Sequence, residues 1–286
     1  MTAAAPLPPQ PVPPVTFTPD TVREHIDGIA AFLGGAANVI MQLSHPPVGY
    51  GVLESTVDSG KVTLHPLKRL RTTLTYLAVA WMGSEADRAA YREAVNGSHR
   101  PIHSKPDAEI KYNAFDPGLQ LWVAACLYWG VDDIYHRMRG PMEPELAEEF
   151  YRYSARLGTT LQMRPEMWPP DRDAFYRYWD ENLAERTIDQ PMRDYFNDLI
   201  DLRMIPRPLQ LVFGRFHRFT VTALLPQHLR DEMGMTWTSR DERRFTLTLR
   251  AISAVSTRLP AAVRAAPLNT SLWDMHMRRR FGLKLV

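Results

Sequence analysis

The stretch SEADRAAYREAVNGSHRPI, residues 84–102, has the pattern of a single amphipathic helix. Ser84 is a typical N-cap, and the acidic residues that follow it complement the positive end of a helix dipole. Tyr91, Val95 and His99 recur every four residues, so they share one face of the helix. This apolar face, with a histidine at its last turn, is the pattern from which the rest of the chain is interpreted.

We expect the helix to end near His99, because Pro101 disfavours helical geometry at the residue before it and has no N–H to donate. An imidazole at the end of an apolar face must be hydrogen-bonded, buried in its neutral form, or bound to a metal. From spacing alone, a hydrogen-bonded core histidine is more common than a ligand. Arg88 and Arg92 lie on the other faces of this helix, where we expect them to remain solvated.

Composition excludes several classes of protein. The 286 residues include 34 basic and 32 acidic ones. Because basic and acidic residues are interleaved along the chain, we expect no surface that binds nucleic acid.

The longest apolar run, residues 119–131, is too short to span a bilayer, and the proline-broken N-terminus has no signal-peptide pattern. Cys126 is the single cysteine, so no disulfide forms within the chain, and we expect it to be buried. The cytoplasm is the expected location.

Helical periodicity dominates from residue 20 onward, with no sustained alternation of apolar and polar residues. We therefore predict an all-α fold, a multi-helix bundle that forms one domain over residues 20–286. Residues 1–19 are rich in proline and predict a disordered tail. The predicted helices cover residues 19–32, 34–45, 66–83, 84–99, 116–138, 144–157, 171–186, 191–202, 207–224, 239–258 and 270–282.

Some conspicuous positions have ordinary structural interpretations. Gly34 and Gly35 permit the close approach of another backbone or of a flat ligand at the start of the second predicted helix. His45 precedes two prolines, which predicts the end of that helix, where its side chain complements the helix C-terminus. Asp132 and Asp133 are expected to form a solvated pair rather than an acid–base dyad.

Most motifs that carry chemistry are absent. The chain has no Walker loop, no GxGxxG after a strand, no GxSxG elbow and no HExxH motif. His99 and His103 are spaced to clamp one metal ion on a continuous helix, with Asp107, Glu109 or Asp116 as a further ligand. The proline between the two histidines disfavours such a helix, but a metal site formed by them stays an open alternative.

Four segments, in this order and spacing, resemble the MpaB/rubber-oxygenase family over roughly residues 27–265. They are GGAANVIMQLSHPPVGYGV (34–52), HPLKRLRTTLTYLAVAWMG (65–83), EAVNGSHRPI (93–102) and AFDPGLQLWVAACLYW (114–129). The resemblance implies an all-α fold with a globin-like core and a b-type haem. The family includes latex-clearing proteins, which cleave polyisoprene with O2, and a fungal enzyme that cleaves an isoprenoid side chain.

The family's H-x-x-V element falls on His99, with Ile102 at the valine position. The resemblance therefore implies that His99 is the proximal ligand of the haem iron. We expect its ε nitrogen to bind the iron and a carbonyl or carboxylate to hold its other ring nitrogen. O2 would then bind on the opposite face of the haem.

The resemblance also implies which side chains surround the haem. The family's R-x-x-x-T element falls on Arg69 and Thr73, which implies that both line the haem pocket and that Arg69 pairs with a propionate. Thr72 stands where the rubber-cleaving branch has a lysine, which argues against rubber cleavage and favours a small-molecule substrate. His45 matches a His-Pro element and joins the implied cofactor-binding residues without an assigned role.

The sequence and the resemblance together predict an oxidoreductase, a haem b-dependent oxygenase. Its partners would be O2, or peroxide, and an apolar substrate, isoprenoid or lipid-like. A carrier or sensor that binds haem or lipid without turnover is the alternative from a different class. A further alternative keeps the fold and is a non-haem metal oxygenase that uses His99 and His103. The sequence assigns no catalytic residue beyond the iron ligand and leaves assembly into a homo-oligomer open.

Overall fold

The computed structural model describes residues 17–286, and within them the regular secondary structure is entirely helical, as predicted. The α-helices are α1 Gly28–Leu43, α2 Pro46–Leu53, α3 Pro66–Met82, α4 Glu85–His99, α5 Pro117–Arg139, α6 Pro144–Ser154, α7 Arg156–Thr159, α8 Arg172–Ala184, α9 Gln190–Ile200, α10 Arg207–Leu224, α11 Gln227–Glu232, α12 Ser239–Ser256, α13 Ala261–Arg264 and α14 Leu268–Arg280. Short 3-10 helices cover Thr21–Glu24, Asp58–Gly60 and Pro165–Met167. Across the described range, no helix is both long enough and apolar enough to cross a membrane. The globin-like arrangement implied by the resemblance stays a prediction.

The predicted proline-rich tail lies largely outside the described residues, because the structure begins at Phe17. Phe17 is buried, and its ring packs edge-on against Phe150 with centroids 5.6 Å apart. The packed part of the chain thus begins before residue 20, the predicted boundary.

Helix α5 is central to the hydrophobic core and packs against α1, α7 and α12. Its side chains Trp122, Cys126 and Tyr128 are buried, and the burial of the single cysteine confirms the prediction from its apolar surroundings. Trp179 of α8 stacks on Trp122 with ring centroids 5.3 Å apart and interplanar angle 10°, which fixes α8 against α5.

Helices α3 and α4 begin and end where the sequence predicts. Pro66 occupies the first turn of α3, and Gly83 caps its end. Ser84 then starts α4 with a capping box. Its hydroxyl oxygen accepts a hydrogen bond from the Asp87 backbone N–H, and the Asp87 carboxylate accepts one from the Ser84 backbone N–H. Because so few residues separate the two helices, α4 packs back against α3.

The predicted boundaries of the first helices were wrong. Gly34 and Gly35 lie inside α1 and do not start a helix, and nothing lies within 4 Å of the position that a Cβ would take at either. Their expected role in a close approach is therefore not found. The helix ends before His45, but Pro46 is the first residue of a further helix, α2, because a proline at N1 needs no N–H partner.

Arg88 and Arg92 do not stay solvated as predicted. The Arg88 side chain is only 9% exposed and donates to the hydroxyls of Thr159 and Thr160, both at 2.9 Å. Arg92 donates to the backbone carbonyl oxygens of the same two threonines, at 2.7 and 2.8 Å. Arg92 thus satisfies carbonyl groups at the end of α7, which need donors, and Arg88 binds the side chains of the same threonines.

Asp132 and Asp133 are not the solvated pair that was predicted. Asp132 is buried and accepts hydrogen bonds from Arg172 and Tyr176, on α8. Asp133 pairs with Arg137 at 2.8 Å, and burial raises the pKa of its carboxyl. The Asp132 carboxylate therefore connects α5 to α8, whereas Asp133 pairs within α5.

Helix α14 packs along α3 and is also anchored to α4. Asp87, at the start of α4, accepts hydrogen bonds from Arg279 at 2.6 Å and pairs with His276 at 3.1 Å. Arg71 of α3 pairs with Asp274 at 3.4 Å. The two helices that carry most of the predicted site residues are thus held by one C-terminal helix.

Candidate active site

A cavity of about 300 Å³ opens between α2, α3, α4, α5 and α7. It is a concave and largely apolar space of the kind that binds small molecules. Its apolar lining includes Val48, Val52, Leu77, Val95, Ile102, Val123, Leu127 and Leu157. The face of α4 predicted from the sequence lies on this cavity, since Tyr91, Val95 and His99 all line it.

His99 lies in the cavity wall at the end of α4, as the helix pattern predicts. Neither ring nitrogen makes a hydrogen bond to a described residue, and Nδ1 is also closed off from solvent. The ring packs edge-on against Phe115, with centroids 6.3 Å apart. The carbonyl or carboxylate partner expected for the second ring nitrogen is therefore not found among the described residues.

The imidazole of His99 is neutral at physiological pH. Burial, and secondarily the positive charge of Arg69, lower its pKa to about 4. A neutral imidazole without a hydrogen-bond partner keeps a lone pair free, which is the form that binds a metal ion. This combination of burial and a missing partner is unusual for a histidine in a protein interior.

Two cations lie on the cavity wall at the start of α3. Lys68 and Arg69 both line the cavity, and the side chain of neither makes a hydrogen bond or ion pair with a described residue. Lys61 also lines it, but Asp58 neutralises Lys61 at 2.8 Å. Two unpaired cations beside an apolar cavity favour a ligand with anionic groups at one end. The sequence pattern pointed to Arg69 but gave no signal for the adjacent Lys68.

The threonines predicted to bind the cofactor also line the cavity. Thr73 faces it without a side-chain hydrogen bond to a described residue, whereas the hydroxyl of Thr72 donates to the Arg69 carbonyl oxygen at 3.0 Å. The Thr72 carbonyl oxygen in turn accepts a 2.8 Å hydrogen bond from the hydroxyl of Tyr91. The structure thus gathers Arg69, Thr72, Thr73 and His99 at one cavity, and their role in cofactor binding stays a prediction.

His45 is not among the residues that line the cavity. Its ring packs edge-on against Trp122, with centroids 6.2 Å apart, and its Nδ1 is buried without a partner. Burial, followed by the charge of Arg186, lowers the pKa of His45 to about 4. The neutral ring therefore cannot complement a helix C-terminus as a cation, and the prediction that it does was wrong.

The metal site built from His99, His103 and a carboxylate is not formed. His103 is exposed, and its backbone pairs with Asn113 in an isolated antiparallel bridge. Between residues 17 and 286, no three His, Cys, Asp or Glu side chains are grouped closely enough to hold a metal ion. The helix ends at His99, so the four-residue spacing does not place the two rings together.

A hydrogen-bonded chain of amides, not found by sequence reasoning, closes one side of the cavity. Gln120, which lines the cavity, donates to the Gln162 side chain at 2.7 Å, and Gln162 donates to Asn96 of α4 at 2.6 Å. Gln120 interrupts an apolar run, which was the only sequence signal for it. The chain fixes α5 relative to the helix that carries His99.

Comparisons with known proteins identify the family of the chain. An uncharacterised protein of Mycobacterium bovis and one of Mycobacterium tuberculosis are each 46% identical to the chain over 251 residues, which is 88% of this chain and 98% of each relative. No solved structure matches the chain. Residues 22–254 match the family model described as ER-bound oxygenase mpaB/B′/rubber oxygenase, catalytic domain. The chain therefore belongs to this family of oxygenase catalytic domains.

Proposed function

We propose that the protein is a haem b-dependent oxygenase that uses O2 to oxidise an apolar small molecule, with His99 as the protein ligand of the iron. The observation that carries the proposal is the neutral imidazole of His99, which has no hydrogen-bond partner and lies in the wall of an apolar cavity. Membership of an oxygenase family supports the class of reaction.

The residues of the cavity fit a haem. His99 offers a lone pair, because its low pKa keeps the ring uncharged. Lys68 and Arg69 are unpaired cations that would meet the two carboxylates of haem b. The aliphatic side chains that line the rest of the cavity would cover the apolar porphyrin and exclude water from it.

Each side chain then has a distinct task. His99 would hold the haem iron, and a histidine-ligated haem supplies O2 binding and activation. Tyr91 keeps the spacing between α3 and α4 through its bond to the Thr72 carbonyl oxygen. Thr72 supplies a small neutral side chain where the rubber-cleaving relatives carry a cation, which favours a small apolar substrate over a polymer.

The visible spectrum of the purified protein tests the proposal. We expect a Soret band that shifts on reduction and again on addition of CO, and we expect His99→Ala to lose or shift it. The matched control is His103→Ala, because His103 is exposed and lies outside the cavity. A colourless protein, or a His99→Ala variant with full haem content and an unchanged Soret band, would overturn the assignment.

Oxygen consumption then separates an oxygenase from a carrier or sensor. We expect O2 uptake when isoprenoid or lipid-like compounds are added to the haem-loaded protein, and none with His99→Ala. A haem protein that consumes no O2 with any of these compounds would instead be a carrier or sensor.

A further inference from the structure

The chain reverses direction after α14 and returns to the cavity. Gly282 adopts a left-handed conformation with φ 65°, which glycine tolerates without strain. Leu283 N–H donates to the Arg278 carbonyl oxygen at 2.8 Å, which closes the helix end as in a Schellman motif. We call residues 282–286 the C-terminal strap.

Two arginines hold the C-terminal strap in place. Arg278 donates to the Lys284 carbonyl oxygen and Arg71 of α3 donates to the Leu285 carbonyl oxygen, both at 3.1 Å. Asp274 accepts from the same two arginines, at 2.8 Å from Arg278 and 3.4 Å from Arg71. One carboxylate therefore orients two guanidinium groups, and each of these fixes one carbonyl of the strap.

The strap presents its last side chains to the protein interior. Leu285 and Val286 pack against the hydrophobic core, and Val286 lines the same cavity as Arg69 and Thr72. Leu283, by contrast, is 56% exposed. The strap lies beyond residue 254, where the match to the family model ends, so family membership assigns it no role.

We propose that Val286 is a specificity-determining residue, whose side chain limits the width of the apolar ligand that the cavity accepts. Arg71 is the positioning residue that keeps Val286 in the cavity wall. The inference deepens the proposed function, since the ligand it concerns is the substrate of the proposed oxygenase. A single methylene in an apolar pocket changes recognition by roughly 10-fold or more, so a residue in the wall has a measurable effect.

Two alcohols of different width test the proposal on the whole 286-residue chain. Dodecan-1-ol is narrow and flexible, whereas adamantan-1-ol is short and wide, and we expect both to displace the fluorescent probe 1-anilinonaphthalene-8-sulfonate from the cavity. The measured quantity is the Kd of adamantan-1-ol divided by the Kd of dodecan-1-ol. We expect Val286→Trp to raise this ratio by about 10-fold or more and Val286→Gly to lower it.

The positioning role of Arg71 has its own variants. Arg71→Ala removes the donor to the Leu285 carbonyl oxygen, so it should lower the ratio of the two Kd values as Val286→Gly does. Arg71→Lys keeps a donor and should give a ratio between those of Arg71→Ala and the wild type. Leu283→Ala is the matched control within the strap, and it should leave the ratio unchanged. Urea unfolding of every variant establishes that each one is folded.

The proposal is overturned if folded Val286→Trp and Val286→Gly proteins keep the wild-type ratio, or if neither alcohol displaces the probe. The visible spectrum of the same samples decides the haem assignment separately. A colourless protein whose ligand preference follows residue 286 would reject the haem and retain the strap as the determinant of width.

Discussion

The hydroxyl of Tyr91 donates a 2.8 Å hydrogen bond to the Thr72 carbonyl oxygen, and this bond joins the helix of His99 to the helix of Arg69. Removing it with Tyr91→Phe should reduce the free energy of unfolding by about 1 kcal/mol. Urea unfolding measures this change. Tyr135→Phe is the control, because the Tyr135 hydroxyl has no hydrogen bond to a described residue. Equal losses of unfolding free energy in Tyr91→Phe and Tyr135→Phe would show that the hydrogen bond does not contribute to stability.

Arg88 should contribute strongly to stability. Its guanidinium bonds to the hydroxyls of Thr159 and Thr160 and to Glu85, so Arg88→Met leaves these groups with fewer partners. We expect a loss of about 2 kcal/mol in the free energy of unfolding. The exposed Arg100 at the end of the same helix is the control, and Arg100→Met should change stability by less than about 0.5 kcal/mol.

Substitution by alanine should change the free energy of unfolding in opposite directions at two glycines of α1. A Cβ at Gly28 would lie 1.7 Å from the Ala266 carbonyl oxygen, so Gly28→Ala must displace backbone and should cost about 3 kcal/mol or more. No atom lies within 4 Å at Gly34, and Gly34→Ala should stabilise the helix by about 0.5–1 kcal/mol. Thermal and urea unfolding measure both, and a stable Gly28→Ala protein would contradict the described packing of α1.

His45 should make stability depend on pH. Its pKa is about 4 in the folded protein and near 6.5 when unfolded, so the unfolded state binds the proton first as the pH falls. The stabilising contribution is therefore complete above pH 6.5 and is lost progressively between pH 6.5 and pH 4. From pH 7 to pH 5, wild type should lose about 2 kcal/mol more than His45→Gln. Urea unfolding of wild type and His45→Gln at both pH values measures this difference. Equal losses of unfolding free energy in the two proteins would contradict a buried neutral ring at His45.

Arg69 should strengthen haem binding through its charge. If Arg69 meets a haem carboxylate, Arg69→Gln should weaken haem affinity by about fivefold, as for other partly exposed ion pairs. The difference between wild type and variant should shrink at high salt, because salt screens exposed charges. Absorbance titration with haem measures both effects. Arg100→Gln is the control outside the cavity, and an equal loss in that variant would remove the specific role of Arg69.

Local signals predicted the helices around the cavity well. The proline at 66, the serine at 84 and the aspartate at 116 each start a helix in the structure, because each satisfies a requirement of the first helical turn. The four-residue spacing on α4 correctly predicted which side chains share a face, and that face lines the cavity. These features depend on residues that are close in sequence.

Features that depend on distant residues could not be predicted. The burial of Arg88 requires two threonines some seventy residues away, so nothing near it in sequence distinguishes it from a solvated arginine. A close approach of another backbone was predicted at Gly34 and Gly35. In the structure the backbone of Ala266 instead lies close to Gly28. The strap is another such feature, since no local pattern connects Val286 with the cavity.

The packing of α14 along α3 also determines where this protein can be shortened. A chain truncated at residue 254, where the match to the family model ends, would lack α14 and its buried side chains Leu272 and Met275. The freed surface of α3 would then be apolar and would promote aggregation. The segment that the family model matches is thus smaller than the packed unit, and a fragment for expression should extend beyond it.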